Sequence, residues 1–282
     1  MHFETSWIVF VKEMVTVLAV TPVILILILS GRYRLPALKW VLYIFTGGIL
    51  CELIGVRLHV EAFALIGIVI SVPLIQSANF VFSSLLGRMF LKEKISRRCL
   101  AAMLILIVSM IFLTFGPQSA LQQLTWKLIF VGLGAVVAGL MYSIHIVFLR
   151  FTSESKQMPV TLIMVQVTAI GATIFGVEIW YTHGWDGFYR SIPLEAWGWA
   201  LFSGFTNMIG FCFQILGLRY TIVARAQMIS VAQIVFVTIL GILYFAEPTN
   251  FFVWLGIAMT ISGILLVSFP EKGERLGNTS TA

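Results

Sequence analysis

Five ionisable side chains lie inside long apolar stretches of the sequence: Lys12, Glu13, Glu52, His145 and Glu178. Within a membrane such a group costs about 2.5–3.5 kcal/mol on insertion scales, so it needs a partner or a wet cavity. A carboxylate there can bind a proton or a substrate, and histidine titrates near neutral pH. These residue types therefore indicate that the protein handles ions or solutes inside a membrane.

Lys12 and Glu52 are predicted to lie at similar depth on consecutive antiparallel helices. Lys12 is near the outer end of the first apolar segment. Arg57 marks the outer end of the second segment, and Glu52 lies five residues before it. At about 1.5 Å per residue, both lie roughly 8 Å below the outer surface, so we expect an ion pair between them. Either this pair only neutralises itself and joins the helices, or Glu52 faces a pathway and binds a proton or substrate.

His145 lies in the second half of another apolar segment, and Tyr142 is three residues earlier on the same helical face. The histidine is predicted either to carry a proton or contact substrate, or to be a buried residue that hydrogen-bonds a neighbouring helix. Glu178 lies beside Trp180 and Tyr181, and we interpret it as an interfacial residue.

Uncharged amides form a second pattern. Gln76 and Asn79 are three residues apart on one helix, and Asn207 and Gln214 are seven apart on another, so each pair shares a face. Gln233 corresponds to Asn79 in the internal repeat described below. These amides predict either one shared cavity or interhelical hydrogen bonds worth about 0.6 kcal/mol each. The candidate substrate-binding residues are thus Glu52, Gln76, Asn79, Tyr142, His145, Asn207 and Gln233.

Motifs for other chemistries are absent from the sequence. No Gly-rich loop precedes a lysine as a P-loop requires, the four histidines lack metal-ligand spacing, and the carboxylates form no catalytic pair. We therefore predict no enzyme, no cofactor and no metal site. Nucleic acid is not an expected partner, because the net charge of +6 is spread between apolar runs.

The elements that position these residues must be membrane helices. Of the 282 residues, 60% are hydrophobic and 11% are charged, whereas a soluble domain has about 25% charged residues. The alternation typical of a membrane barrel is missing, so an all-α polytopic helical bundle is predicted. Nine segments are long and apolar enough to span a bilayer: 7–30, 40–57, 62–86, 99–116, 127–149, 158–181, 196–216, 222–246 and 251–269.

The distribution of cations predicts an orientation. Fourteen of the eighteen Lys and Arg residues lie in the polar links and tail on one side of the predicted membrane. Cytoplasmic loops carry such an excess, so this side is assigned to the cytoplasm. A multi-pass protein of the plasma (inner) membrane follows, with the C-terminus inside and, for nine helices, the N-terminus outside.

The sequence also repeats itself with an offset of 154 residues. Gly87 pairs with Gly241 and Glu93 with Glu247, each Glu lying between two apolar helices. The first Glu is surrounded by cations and the second is not, which predicts opposite orientations in the membrane. Inverted repeats are typical of secondary transporters, whose substrate site lies near the midplane. The expected units are a four-helix repeat (1–117), a five-helix repeat (118–270) and a polar cytoplasmic tail (271–282).

The stretch QILGLRYTIVARAQMISVAQIVFVTILGILYFAEPTNFFVWLGIAMTISGILLV resembles the second half of an EamA-type domain of the drug/metabolite transporter superfamily. The cues are LRYT between two helices, the glutamate after the long helix, and the following LG…SG helix; LKEK resembles the same motif in the first half. The resemblance implies ten helices in two inverted repeats. Segment 7–30 is similar to the second of them, which implies that the first is missing here.

The resemblance and the residues together predict a secondary transporter of a small organic metabolite or drug-like solute that works by alternating access. Export is the commoner implication of the resemblance, and protons are a candidate coupling ion. The alternative is a non-transporting membrane protein, either a partner-binding subunit or a truncated transporter homologue. The expected partners are a small-molecule substrate and the lipid bilayer, with a homodimer as a candidate assembly.

Overall fold

The fold is known from a computed structural model, which describes residues 5–32, 36–93, 95–115, 126–154, 158–190, 194–224, 226–227, 233–246 and 249–268. Within these ranges the regular structure is helical and no strand occurs. This confirms the predicted all-α class. The predicted tail at 271–282 and the repeat residue Glu247 lie outside the described residues.

Ten α-helices and one π-helical segment follow one another along the described chain. Their bounds are α1 Thr5–Leu29, α2 Leu38–Leu50, the π segment Cys51–Val56, α3 Arg57–Ile66, α4 Ile68–Phe90, α5 Arg97–Phe115, α6 Trp126–Glu154, α7 Val160–Arg190, α8 Leu194–Tyr220, α9 Gln233–Tyr244 and α10 Phe251–Ser268. Among the described residues, six spans are long and apolar enough to cross a membrane, so the chain is an integral multi-pass membrane protein. Below, the N-terminal face of the bundle is the one at which α1 begins, and the C-terminal face is opposite.

The second predicted segment is longer than the sequence indicated. Residues 57–66, expected to include a polar link, are helical, and α2, the π segment and α3 form one continuous 29-residue span, Leu38–Ile66. The chain reverses at Gly67, whose φ of 75° is the left-handed region that glycine adopts without strain. Glu52 therefore lies at the centre of its span and not about 8 Å from one end.

The link expected after residue 181 is also shorter than predicted. Helix α7 continues to Arg190, interrupted by a kink at Gly184, where φ is 64°. A glycine accommodates this positive φ because it has no Cβ. The kink lies close to the N-terminal face.

Small residues let the helices pack closely, as is usual in membrane bundles. An added Cβ on Gly139 of α6 would lie 2.7 Å from the Ile75 carbonyl oxygen of α4 and 2.6 Å from the Ala78 Cβ. Gly256 of α10 lies equally close to Leu113 of α5. The buried centre of the bundle includes Leu74, Ile75, Ala135 and Ala138, where α4 packs on α6. The same centre holds the polar residues described next.

Candidate functional site

Two buried carboxylates and one lysine meet at the interface of α1, the π segment and α7. Glu13 and Glu52 are 4% and 5% exposed. Lys12 Nζ lies 2.9 Å from Glu13 Oε1, and its ammonium is also within electrostatic range of Glu52. Two acids therefore face one base, and full ionisation would leave one negative charge without compensation.

Gly171 of α7 forms the floor against which both carboxylates pack. A Cβ added there would lie 2.9 Å from Glu52 Oε2 and 3.0 Å from Glu13 Cγ. Glu52 Oε2 is buried and has no hydrogen-bond partner among the described residues. A buried acceptor without a partner costs about 1–3 kcal/mol, so this oxygen is suited to bind a proton or a ligand group.

The structure gives Lys12 a partner other than the predicted Glu52. Its ion pair is with Glu13, the next residue on the same helix. Glu52 still joins the cluster, but it approaches from the π segment at the level of Gly171. The structure thus pairs Lys12 with Glu13 in place of Glu52, although Glu13 and Glu52 lie at the same level on Gly171.

The local backbone around Glu52 is unusual. Cys51–Val56 form a π-helical turn between two α-helices, and such turns are rare and often occur at functional sites. Gly55 in the same turn lies against α6: its Cβ would be 3.1 Å from Met141 Cβ and 3.8 Å from Tyr142 Cε1. The wider turn thus presents Glu52 to α1 and α7 while Gly55 contacts α6.

A histidine–tyrosine pair lies on the N-terminal side of this cluster. His59 Nδ1 is 2.7 Å from the Tyr142 hydroxyl, and the ring of Phe63 packs edge-on against His59 at 4.3 Å. The Tyr142 hydroxyl is within electrostatic range of Glu52 and Glu13. Tyr142, predicted from sequence, thus hydrogen-bonds His59 and packs near Gly55, three residues from Glu52.

His145 lies one turn from Tyr142 toward the C-terminal face. It is 6% exposed, its ring hydrogen-bonds the Gly47 backbone, and it stacks on Phe211 at 6.5 Å. Its Nδ1 atom has no partner among the described residues. His145 thus bonds a neighbouring helix, one of the two interpretations, and retains one free ring nitrogen for the other.

Asn79 belongs to a second buried cluster that joins the two halves of the chain. Its Nδ2 donates to Gln227 Oε1 at 3.2 Å, and Ser143 Oγ donates to Asn79 Oδ1 at 3.1 Å. Because Ser143 follows Tyr142 on α6, the two polar clusters are neighbours. Both the nitrogen and the oxygen of the Asn79 side-chain amide are therefore hydrogen-bonded.

The remaining predicted amides lie outside these contacts. Gln233, expected to share a cavity with Asn79, is exposed at the start of α9, and Gln227 contacts Asn79 instead. Gln76 and Asn207 are partly exposed on α4 and α8. The repeat correspondence between Asn79 and Gln233 thus does not bring their side chains together in this conformation.

One ion pair lies toward each end of the bundle. Toward the N-terminal face, Arg57 Nη2 bonds Glu178 Oε2 at 2.5 Å, so Glu178 is partnered as well as partly exposed. At the C-terminal face, Glu93 accepts from the Val223 backbone N–H at 3.1 Å and from Arg150 Nε at 3.4 Å. Arg150 Nη1 donates to the Leu218 carbonyl at 2.6 Å. The repeat residue Glu93 thereby ties the α4–α5 link to α6 and to the link after α8.

A cavity of about 430 Å³ opens between α3 and α6 toward the N-terminal face. It is lined by Leu58, Glu61, Ala62, Phe130, Val131 and Gly134. The cavity reaches the residues on either side of His59 along α3. Among the described residues, no group of His, Cys, Asp and Glu side chains could hold a metal ion.

Sequence reasoning missed five residues of this site: Glu13 as the partner of Lys12, His59, Ser143, Gly171 and Gln227. Spacing contained a signal for His59, since it follows Glu52 by seven residues and therefore lies near one helical face with it. Gly171 carried no such signal, because a glycine in an apolar helix has many packing roles.

The fold and the buried polar centre define a polytopic membrane protein with ionisable groups inside the bundle. The family model of the EamA-like transporter family matches residues 126–269, which begin with α6 and extend one residue beyond α10. The chain therefore belongs to the EamA-like transporter family, as its sequence cues indicated. Comparison with individually curated proteins gives no match.

Proposed function

We propose that the protein is a secondary transporter that exports a small organic metabolite or drug-like solute by alternating access. This proposal rests on the environment of Glu52. Its carboxylate is buried at the centre of a membrane span, and one carboxylate oxygen has no hydrogen-bond partner among the described residues. Such a group is expensive in a membrane and is retained where it binds a proton or solute. Membership of a transporter family supports the same conclusion.

Glu52 is the charged element of the proposed site, and protons are the proposed coupling ion. Tyr142, His145 and Asn79 would contact the substrate from α6 and α4 once the bundle opens. Gln76, Asn207 and Gln233 stay predictions; they would join the site in a conformation that closes α8 and α9 onto α4. The two moving units are the predicted repeats, residues 1–117 and 118–270.

The proposed orientation places the C-terminal face in the cytoplasm and the protein in the plasma (inner) membrane, because the Lys and Arg residues concentrate at that face. Glu93 and Arg150 would then close the cytoplasmic end, and Arg57 and Glu178 would lie toward the outside. Homodimer formation stays a prediction.

The test is solute flux into liposomes that contain the purified full chain, measured with a panel of metabolites and drug-like compounds at several pH values. We expect flux of at least one solute that depends on pH, and loss of that dependence in Glu52→Gln. Glu61→Gln is the matched control, since Glu61 is an exposed carboxylate nine residues further along the same span. Absence of flux for every solute, with a folded protein, would favour the non-transporting alternative.

A further inference from the structure

His59 is a partly buried titratable group that lies outside the proposed substrate site. Its Nδ1 atom contacts the Tyr142 hydroxyl at 2.7 Å, and the two rings meet edge to face at 5.5 Å. Its Nε2 atom is buried without a hydrogen-bond partner among the described residues. One ring nitrogen is therefore held by a hydroxyl, and the other is free to gain or lose a proton.

The Tyr142 hydroxyl bonds His59 on one side. The Tyr142 ring packs near Gly55, which is three residues from Glu52 in the π segment, and its hydroxyl is within electrostatic range of Glu52 and Glu13. The relay requires a rotation of the Glu52 side chain, or water, to join the Tyr142 hydroxyl to the carboxylate. A hydroxyl serves this role because it donates and accepts at once.

We propose that His59 and Tyr142 form a proton relay between Glu52 and the N-terminal face of the bundle. This inference rests on the proposed function, because it assigns the side of the membrane from which the coupling proton reaches Glu52. The cavity between α3 and α6 lies at Leu58 and Glu61, on either side of His59 in the sequence. Protons reach Glu52 from this side through Tyr142, which the relay shares with the proposed substrate site.

The transfer balances without any further reactant. A proton binds Nε2 of neutral His59, the Nδ1 proton passes to the Tyr142 oxygen, and the Tyr142 hydroxyl proton passes to the Glu52 carboxylate. His59 and Tyr142 end neutral, and Glu52 has gained one proton. The relay is reset when His59 returns to the tautomer with its proton on Nδ1, by losing the Nε2 proton and regaining one at Nδ1 from water, and the Tyr142 hydroxyl rotates back toward Glu52.

Other ionisable groups face this route from each packed element. Helix α1 contributes Lys12 and Glu13, which are paired with each other. On its own helix His59 has Arg57, which is paired with Glu178 of α7, and the exposed Glu61. Helix α6 adds His145, which bonds the Gly47 backbone. None of these pairs offers an unoccupied donor or acceptor between Glu52 and the N-terminal face, whereas His59 and Tyr142 do.

The test separates proton movement from substrate movement in liposomes containing the full chain. Substrate-driven proton flux is followed with a pH-sensitive dye, and substrate counterflow is followed with labelled substrate at equal pH on both sides. The variants are His59→Gln, which keeps a hydrogen-bonding side chain that does not titrate, and Tyr142→Phe, which removes one hydroxyl. We expect both variants to slow proton flux by about a hundredfold, the lower end of the range for a lost acid–base group. Counterflow should stay within about twofold of the unmodified protein in His59→Gln alone, because Tyr142 also contacts the substrate in the proposed site.

The matched controls are His183→Gln and Tyr43→Phe, both at exposed residues away from the relay, and neither should change proton flux. If His59→Gln fails to fold, His59→Asn and Tyr142→Phe still test the relay. Proton flux unchanged in the folded His59 and Tyr142 variants overturns the relay, as does an equal loss of counterflow and proton flux in the His59 variant. Absence of any counterflow in the unmodified protein instead overturns the proposed transport function.

Discussion

The Glu52 carboxylate packs directly on Gly171, so that a Cβ at this position would require the carboxylate to shift. A Cβ at position 171 would lie 2.9 Å from Glu52 Oε2, with Glu13 Cγ at 3.0 Å on the other side. Both carboxylates are nearly fully buried. The absence of a single side chain on α7 therefore sets the position of the charged centre of this membrane protein.

Gly171→Ala is expected to displace Glu52 and Glu13. Forcing a methyl group into such a packed site typically costs about 1–3 kcal/mol, so we expect a lower unfolding temperature in detergent and a clear loss of solute flux. Gly210→Ala is the control, because a Cβ there meets no atom within 4 Å. Flux and stability unchanged by Gly171→Ala would show that this contact does not constrain the site.

Lys12→Met is expected to destabilise the protein by leaving Glu13 buried without its cation. Breaking a buried ion pair costs about 3–5 kcal/mol, more than the pair itself contributes. The double variant Lys12→Met with Glu13→Gln should recover most of this loss, because the carboxylate charge is removed as well. Thermal unfolding in detergent measures all three proteins.

The exposed pair Arg57–Glu178 provides a comparison for that experiment. Its side chains are 42% and 28% exposed, and exposed ion pairs contribute about 0–1 kcal/mol. Arg57→Met should therefore change stability far less than Lys12→Met. Equal effects of the two substitutions would contradict the assignment of Lys12 and Glu13 as the buried pair.

The hydrogen bond between Asn79 and Gln227 is expected to couple the two halves of the chain. A double-mutant cycle with Asn79→Leu and Gln227→Leu should give a coupling free energy near the average of about 0.6 kcal/mol for such bonds in membranes. Gln233→Leu serves as the matched change at the exposed amide, and no coupling with Asn79→Leu is expected. A coupling that appears with Gln233 and not with Gln227 would restore the pairing predicted from the repeat.

Much of the fold could be predicted because it depends on local composition. Long apolar segments separated by charged links are forced into helices, since lipid leaves no other way to satisfy the backbone. Segment ends were less accurate: the link expected around residue 57 is a helix, because Arg57 finds Glu178 on α7 and needs no aqueous loop. In the sequence Arg57 marked the end of a span. In the structure the helix continues past Arg57, which pairs with Glu178.

The candidate site was predicted in part for the same reason. Glu52, Tyr142 and His145 were visible because polar residues stand out in an apolar helix, and their part in a substrate site stays a prediction. The pairing of Glu13 with Lys12 and of Gln227 with Asn79 was not visible, because such partners are set by helix rotation and depth. The π segment changes both at Cys51–Val56, and a regular helical period cannot anticipate it.

The sequence by itself determined that this chain is a helical membrane protein with ionisable groups in its spans, because hydropathy and charge placement are properties of each segment alone. Only the tertiary structure decided that Glu13 pairs with Lys12, that His59 bonds Tyr142, and that Gly171 supports Glu52. The His59–Tyr142 and Gly171–Glu52 contacts join residues far apart in the chain. Lys12 and Glu13 are neighbours in the chain, but helix packing against α7 buries the Glu13 carboxylate. The geometry of these contacts is therefore fixed by how the helices pack.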